Sequence, residues 1–199
     1  MKKVLMTGFM PFGGEQVNPS WLAVAKAQAP SGVELIKREL PVSFQTAQEE
    51  VRRLMDELQP DCVLLVGQAG GRKWMTVEQV AVNLMDAGIP DNDGFLAQDL
   101  PVREHAPAAY FSTLPVKKLV QAMKDAGGPA ARSLSAGSYV CNCVLYAALH
   151  QAAQHALPVQ CCFIHVPFIP EQTAGKDAPS MPLEDIVRAL EAALGALAE

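Results

Sequence analysis

No two of the five cysteines, at positions 62, 141, 143, 161 and 162, are spaced Cys-x-x-Cys, and their number is odd. That pattern argues against a disulfide framework and a zinc knuckle, and reduced thiols are expected. No apolar run approaches the roughly 18 residues that a membrane span needs. At the start, Met1-Lys2-Lys3 leads into only Val4-Leu5-Met6 before Thr7-Gly8 breaks the run, which is no secretory signal. A soluble cytoplasmic protein with no membrane partner is the expectation. Basic residues are neither in excess nor clustered: 16 Lys and Arg against 21 Asp and Glu leave a net charge of −5. Nucleic acid is therefore not an expected partner. The acids of Pro90-Asp91-Asn92-Asp93-Gly94 lack the full spacing and the terminal Glu of a calcium loop. The glycines after the first strand are followed by no Gly-Lys-Ser/Thr, so they form no phosphate loop. Neither a metal nor a cofactor is expected, and the partner should be a small molecule or a peptide.

Half of the 199 residues are hydrophobic, enough for one substantial α/β core and a single domain over 1–199. Strand and helix signals alternate. Lys3 to Thr7 and Val33 to Leu40 read as strands, and Asp61 to Gly67 and Val159 to Ile164 are apolar runs of the kind found in parallel strands covered on both faces. Asn18-Pro19 has the form of a helix start, Ser43 caps a helix to about Leu58, Pro115 to Ala126 and Pro182 to about Ala198 are amphipathic, and a further helix runs from Tyr139 to about His155. From Met75 to Leu84 the alternation suits one strand, with Thr76, Glu78, Val80, Val82 and Leu84 on one face. Residues 95–113 are weakly patterned, an excursion that covers a site or meets a neighbouring subunit. The expected architecture is a three-layer α/β/α domain with a mixed, largely parallel sheet.

Cys141 falls in the first turn of its helix, after the small-residue loop Ser135-Ala136-Gly137. Unpaired N–H groups and the positive end of the helix dipole favour a thiolate there and should lower its pKa from the free value of about 8.5. The alternative is an inert buried thiol, since Cys141, Val144, Leu145, Ala148 and Ala152 share an apolar face. Of the four histidines, His150 and His155 lie too far along the same helix, and His105 lies in the excursion. His165 sits at the C-terminal end of a buried strand, on the sheet edge that also carries Gly8 and Gln68. In an open α/β sheet that edge receives ligands. Glu78 points with valines and needs a cation, a backbone donor or a His as its partner. Phe9 and Phe12, in the loop Gly8 to Gly14, either plug the sheet end or wall an apolar pocket. Gln68 either binds a ligand or satisfies backbone groups. Cysteine catalysis needs a nucleophile, a proton-carrying imidazole and a group that orients it, and Cys141, His165 and Glu78 can fill those roles. A glutaminase-type amidohydrolase and a non-catalytic binder of lactams or peptide ends are the competing readings.

The segments TGFMPFGG with NPSW, GQAGGR with TVEQVAVN, SAGSYVCN, and HVPFIPEQ closely resemble the pyroglutamyl peptidases. These are cysteine exopeptidases that remove an N-terminal pyroglutamyl residue, and the likeness extends over nearly the whole chain in the same order. The resemblance implies that Cys141 corresponds to the family's nucleophile, His165 to its general base and Glu78 to its triad carboxylate. The intervals, 63 residues from Glu78 to Cys141 and 24 from Cys141 to His165, agree with the family's. It further implies that Phe9 and Phe12, with Tyr139 and Gln68 close by, hold the flat lactam ring of a peptide substrate, that no cofactor is used, and that the chain is a homo-oligomer, with a tetramer as the suggested form. Two positions depart: Gly88 stands where many members carry Arg, and Cys143 where an aromatic residue is frequent.

Overall fold

A computed structural model describes residues 1–155 and 158–198. Strand β1 (Lys2–Phe9) is followed by helix α1 (Pro19–Lys26), β2 (Val33–Leu40), α2 (Phe44–Leu58), β3 (Cys62–Gln68), β4 (Met75–Glu78) and β5 (Val80–Val82). Then come β6 (Ala109–Phe111), α3 (Val116–Asp125), β7 (Ala130–Ser133), α4 (Val140–Gln154), β8 (Gln160–Val166) and α5 (Leu183–Ala198). Six strands form one sheet in the order β2-β1-β3-β8-β4-β7. Neighbours run parallel except β4 against β8, so the sheet is mixed and largely parallel, as its apolar strands imply.

Period-2 alternation sorts the strand residues into two cores. Met6, Leu64, Val66, Val77 and Ile164 face α1, α3 and α5. Leu5, Val63, Leu65, Cys161 and Phe163 face α2 and α4. Cys161 and Cys162 therefore enter opposite cores, as adjacent strand residues must. Helix starts follow local chemistry. The Asn18 carboxamide oxygen accepts from the Ser20 N–H at 3.1 Å with Pro19 next to it, and the Ser43 hydroxyl accepts from Thr46 at 3.2 Å. Gln59 in a left-handed conformation and Pro60 close α2.

The expected strand over 75–84 is two strands in two sheets. The alternation continues unbroken, but the chain changes partner at Gln79. Its N–H donates to Ser133 O at 2.8 Å and its carbonyl accepts from the Ser112 N–H at 2.9 Å. Val80 to Val82 then pair antiparallel with β6, which lies within the weakly patterned 95–113 segment. Glu78 and the two valines therefore do not share a sheet face. No helix among the described residues is long and apolar enough to cross a membrane.

Candidate active site

The C-terminal ends of β1, β3 and β8 lie side by side at one edge of the sheet, and the N-terminus of α4 meets them there. Gly67 pairs with His165 in the parallel β3–β8 ladder. Because paired positions point to the same face, the imidazole stands beside the bare backbone of Gly67. The Cys141 sulfur occupies the space over that glycine: a Cβ built on Gly67 would lie 2.9 Å from Cys141 Sγ and 2.6 Å from Phe163 Cζ. Thr76 pairs with His165 and Glu78 with Phe163 across the antiparallel β8–β4 ladder. All of these side chains thus project from one face toward α4.

His165 Nδ1 lies 2.8 Å from Glu78 Oε1, with the imidazole 4% and the carboxylate 0% exposed. A carboxylate only accepts, so the proton sits on Nδ1 and the Nε2 lone pair is left toward the cavity. Burial, only partly countered by the bond and charge of Glu78, holds the imidazole below its ordinary pKa, so it is neutral at pH 7. Burial alone would raise the Glu78 carboxyl, but His165 and, more weakly, Arg72 outweigh it and hold it below the usual carboxylate range. Three donors converge on Oε1: His165, Arg72 Nη1 at 2.6 Å and the Thr76 hydroxyl at 3.1 Å. Oε2 has no hydrogen-bond partner among the described residues, and the Ser133 hydroxyl, adjacent in the ladder, donates to Ser135 O at 3.1 Å. Of the alternative partners expected for Glu78, a cation, a backbone donor or a His, the structure places a cation and a His against Oε1.

The Cys141 thiol departs from expectation. Enclosure of the sulfur pushes its pKa up to about 12, the Glu78 charge adds to that, and Arg72 with the residue's own N–H opposes it more weakly. The first-turn position favours a thiolate, but desolvation wins. Cys141 is the half-buried thiol of the chain, whereas Cys62, Cys143, Cys161 and Cys162 are buried. Cys143 lies in the core with its Sγ 3.6 Å from Phe44 O and 3.7 Å from Met85 Sδ.

A cavity of about 100 Å³ opens on the sulfur and the imidazole, and Phe9, Phe12, Gln68 and Tyr139 line it together with Asn18, Val42, Ala136 and Val140. Phe9 both plugs and walls: its ring is 2% exposed and packs 6.3 Å from Phe163. Phe12 packs, tilted by 34°, with its ring centroid 5.9 Å from that of Tyr139, whose hydroxyl donates to Pro90 O at 3.0 Å. Gln68 is the last residue of β3 rather than part of the following loop. Its Oε1 accepts from Gln172 Nε2 at 2.9 Å, which leaves its own amide N–H groups for a ligand. Asn18 is both helix cap and cavity wall. A larger hollow of about 450 Å³ between α2 and the 85–103 segment contains Arg52 and Arg103 but none of the site residues named above.

Two contributors, Asn142 and Arg72, carry no local signal of their role in the sequence. Asn142 receives the Val82 N–H at 2.9 Å and donates to Val82 O at 2.9 Å and Leu84 O at 3.0 Å, fixing the first turn of α4 against β5. Its place in the fold was visible only once β5 left the main sheet. Arg72 reads in sequence as the polar end of a glycine loop, yet it reaches Glu78.

The sequence profile described as pyroglutamyl peptidase matches residues 2–199. The pyrrolidone-carboxylate peptidase of Thermococcus onnurineus (strain NA1) is 53% identical over 190 residues, 95% of each chain. That of Yersinia pestis (strain Pestoides F) is 46% identical over 197 residues, 98% of this chain and 92% of the relative. The crystal structure of pyroglutamyl peptidase I from Bacillus amyloliquefaciens superposes with a TM-score of 0.96 at 43% identity, covering 99% of this chain and 95% of that one. An apolar cavity beside a cysteine and a carboxylate-held histidine, in a chain matched from end to end, leads to one conclusion: the protein belongs to the pyroglutamyl peptidase family of cysteine-type peptidases.

Proposed function

We propose that the protein removes an N-terminal pyroglutamyl residue from peptides, with Cys141 as nucleophile, His165 as general base and acid, and Glu78 holding the imidazole. The observation that carries this reading is the cavity lining: among the described residues, no Asp, Glu, Lys or Arg lines the cavity itself. A glutamine substrate would bring a free α-ammonium and carboxylate, each needing a counter-charge on burial. A lactam brings neither. It needs flat apolar walls, supplied by Phe9, Phe12 and Tyr139, and a hydrogen-bond donor for its carbonyl, supplied by the Gln68 amide. The cavity is small beside the roughly 300–1,000 Å³ of drug-sized sites, which suits a single five-membered ring.

Because the thiol is not a standing thiolate, attack couples to proton transfer. His165 Nε2 takes the S–H proton as Sγ bonds to the pyroglutamyl carbonyl carbon, giving a tetrahedral oxyanion. The N-terminal N–H groups of α4, which no side chain among the described residues caps, can serve as donors to that oxygen. The imidazolium then protonates the departing peptide nitrogen, the C–N bond breaks, and a thioester remains. Water, deprotonated by His165, cleaves the thioester and returns the proton to sulfur. Glu78 offsets the imidazolium charge and keeps the proton of the resting imidazole on Nδ1. Release of an amine reporter from a pyroglutamyl amide tests the reading. Wild-type protein should turn over and Cys141→Ala should not, and iodoacetamide should abolish turnover by labelling Cys141. Turnover by Cys141→Ala would overturn it, and ammonia release from glutamine in place of reporter release would favour the amidohydrolase.

A further inference from the structure

We propose that Arg72 is a positioning residue of this site, a single guanidinium that ties the carboxylate orienting His165 to the turn that delivers Cys141. The proposal rests on the catalytic reading above and adds to it a residue outside the Cys-His-Glu set. Arg72 Nη1 donates to Glu78 Oε1 at 2.6 Å and also to the Thr76 hydroxyl, while Nη2 donates to Ser135 O at 3.1 Å. Ser135 opens the loop that leads through Gly137, whose φ of +78° sets the turn, to the α4 cap at Tyr139 two residues later. The two ends of the guanidinium therefore hold the two halves of the site: the β4 carboxylate on one side and the approach to the nucleophile helix on the other. Only a planar fork with several fixed N–H directions spans both; an ammonium is one point of charge. Arg72 itself is placed by a tight turn, with Gly71 at φ +84° and its own N–H on Ala69 O at 3.3 Å. Its side chain is 32% exposed while its partner is fully buried, so the guanidinium forms the solvent-side wall of the carboxylate.

The same placement has an electrostatic consequence. The charged and titratable groups bearing on His165 are Glu78 from β4, Arg72 from the loop after β3 and the Cys141 thiol from α4. An uncompensated Glu78 would pull a proton onto the imidazole and oppose ionisation of the thiol. Arg72 offsets both effects, lowering the proton affinity of His165 and of Cys141. The base stays neutral and the nucleophile becomes easier to ionise, while Glu78 keeps its orienting bond.

Arg72→Gln and Arg72→Lys separate the two effects, measured by kcat, KM and the pH dependence of kcat/KM on a pyroglutamyl reporter. A second readout is the pH dependence of Cys141 alkylation by iodoacetamide, located by peptide mapping. Arg72→Gln should lower kcat by roughly 10- to 100-fold, the usual size of an outer positioning contact. KM should change little, and the acidic limb of kcat/KM should move to higher pH by about half a unit or more, since a cation near the imidazole is gone. Its Cys141 should alkylate more slowly at neutral pH. Arg72→Lys, which keeps the charge but not the fork, should hold the limb near its wild-type position and still lose kcat. If both variants keep kcat within about twofold and the same acidic limb, even with a lower melting temperature, Arg72 is a structural brace and the proposal fails. Should Arg72→Gln not fold, Arg72→Lys decides: a kcat loss at unchanged KM sustains the proposal, and wild-type kcat overturns it. Absence of reporter release by wild type would overturn the catalytic reading instead. The alkylation profiles would then still show whether Arg72 governs the thiol.

Discussion

A side chain at position 67 and the sulfur of Cys141 compete for the same space: the missing Cβ of Gly67 would stand 2.9 Å from Sγ. The ladder partner of Gly67 is His165, so this gap in the β3 face lets a helix-borne thiol come down beside a strand-borne imidazole. Gly67→Ala should displace the sulfur, and the Phe163 ring 2.6 Å from the new carbon resists any shift in the other direction. Overpacking of this kind costs about 1–3 kcal/mol, and a displacement near 1 Å at a reacting atom can cost about 100-fold in rate. Kinetics with a pyroglutamyl reporter and urea titration read the two effects separately. Full activity in a folded Gly67→Ala protein would show that the sulfur does not need that space.

Glu78→Gln keeps the shape of the buried side chain but not its charge. The amide can offer N–H to Nδ1 and so favour the wrong imidazole tautomer, and it leaves Arg72 without its anion. In a serine-based triad the equivalent change costs about 10⁴-fold in kcat, and a loss of about 10³- to 10⁴-fold is expected here with KM little changed. Stability should drop by about 1–3 kcal/mol, less than the roughly 3–5 kcal/mol of a fully buried broken pair, because Arg72 reaches solvent. Steady-state kinetics beside urea unfolding checks both, and an unaltered kcat would remove Glu78 from the mechanism.

Strands apolar on both faces were legible because a parallel sheet covered by helices demands them, and Cys62 to Gln68 and Gln160 to Val166 lie where such runs stand. Helix starts at Asn18 and Ser43 were legible because capping is local. The break after Glu78 was not, since the residues keep perfect alternation while the backbone of Ser112 draws Gln79 out of the ladder. Arg72 was illegible for a related reason: its approach to Glu78 depends on β4 running against β8, which no local pattern encodes. At Cys141 the helix position, which favours a thiolate, was visible in sequence, but the burial that outweighs it was not.

The aromatic wall allows binding to be separated from chemistry. Phe12→Ala removes the ring packed 5.9 Å from Tyr139 without touching Cys141 or His165, so KM should rise by about tenfold while kcat falls less. Tyr139→Phe keeps that ring and loses only the bond to Pro90 O, worth about 0.5–1.5 kcal/mol. Its KM should stay within roughly threefold of wild type. A KM unchanged in Phe12→Ala would place the lactam elsewhere.

Buried titrating groups give the fold a pH signature whose sign is fixed. His165 is held below its ordinary pKa in the native state, whereas in the unfolded chain it titrates near about 6.5. As pH falls through that value the unfolded state takes up a proton that the native state refuses, so stability declines. The slope approaches about 1.4 kcal/mol per pH unit for one proton until the native imidazole itself is protonated. His150, depressed by burial and by Arg103 and Arg52, contributes with the same sign. Glu78, also depressed, adds a second decline that starts near its unfolded value of about 4.3 and continues to its lower native one. Urea unfolding between pH 8 and pH 5 should therefore give a stability that falls toward acid, and His165→Gln and His150→Gln should each flatten that slope. A slope unaltered by His165→Gln would mean that the native imidazole is protonated at the same pH as the unfolded one. Such an imidazole would already carry its proton in the mildly acidic range and could not accept one from Cys141 there.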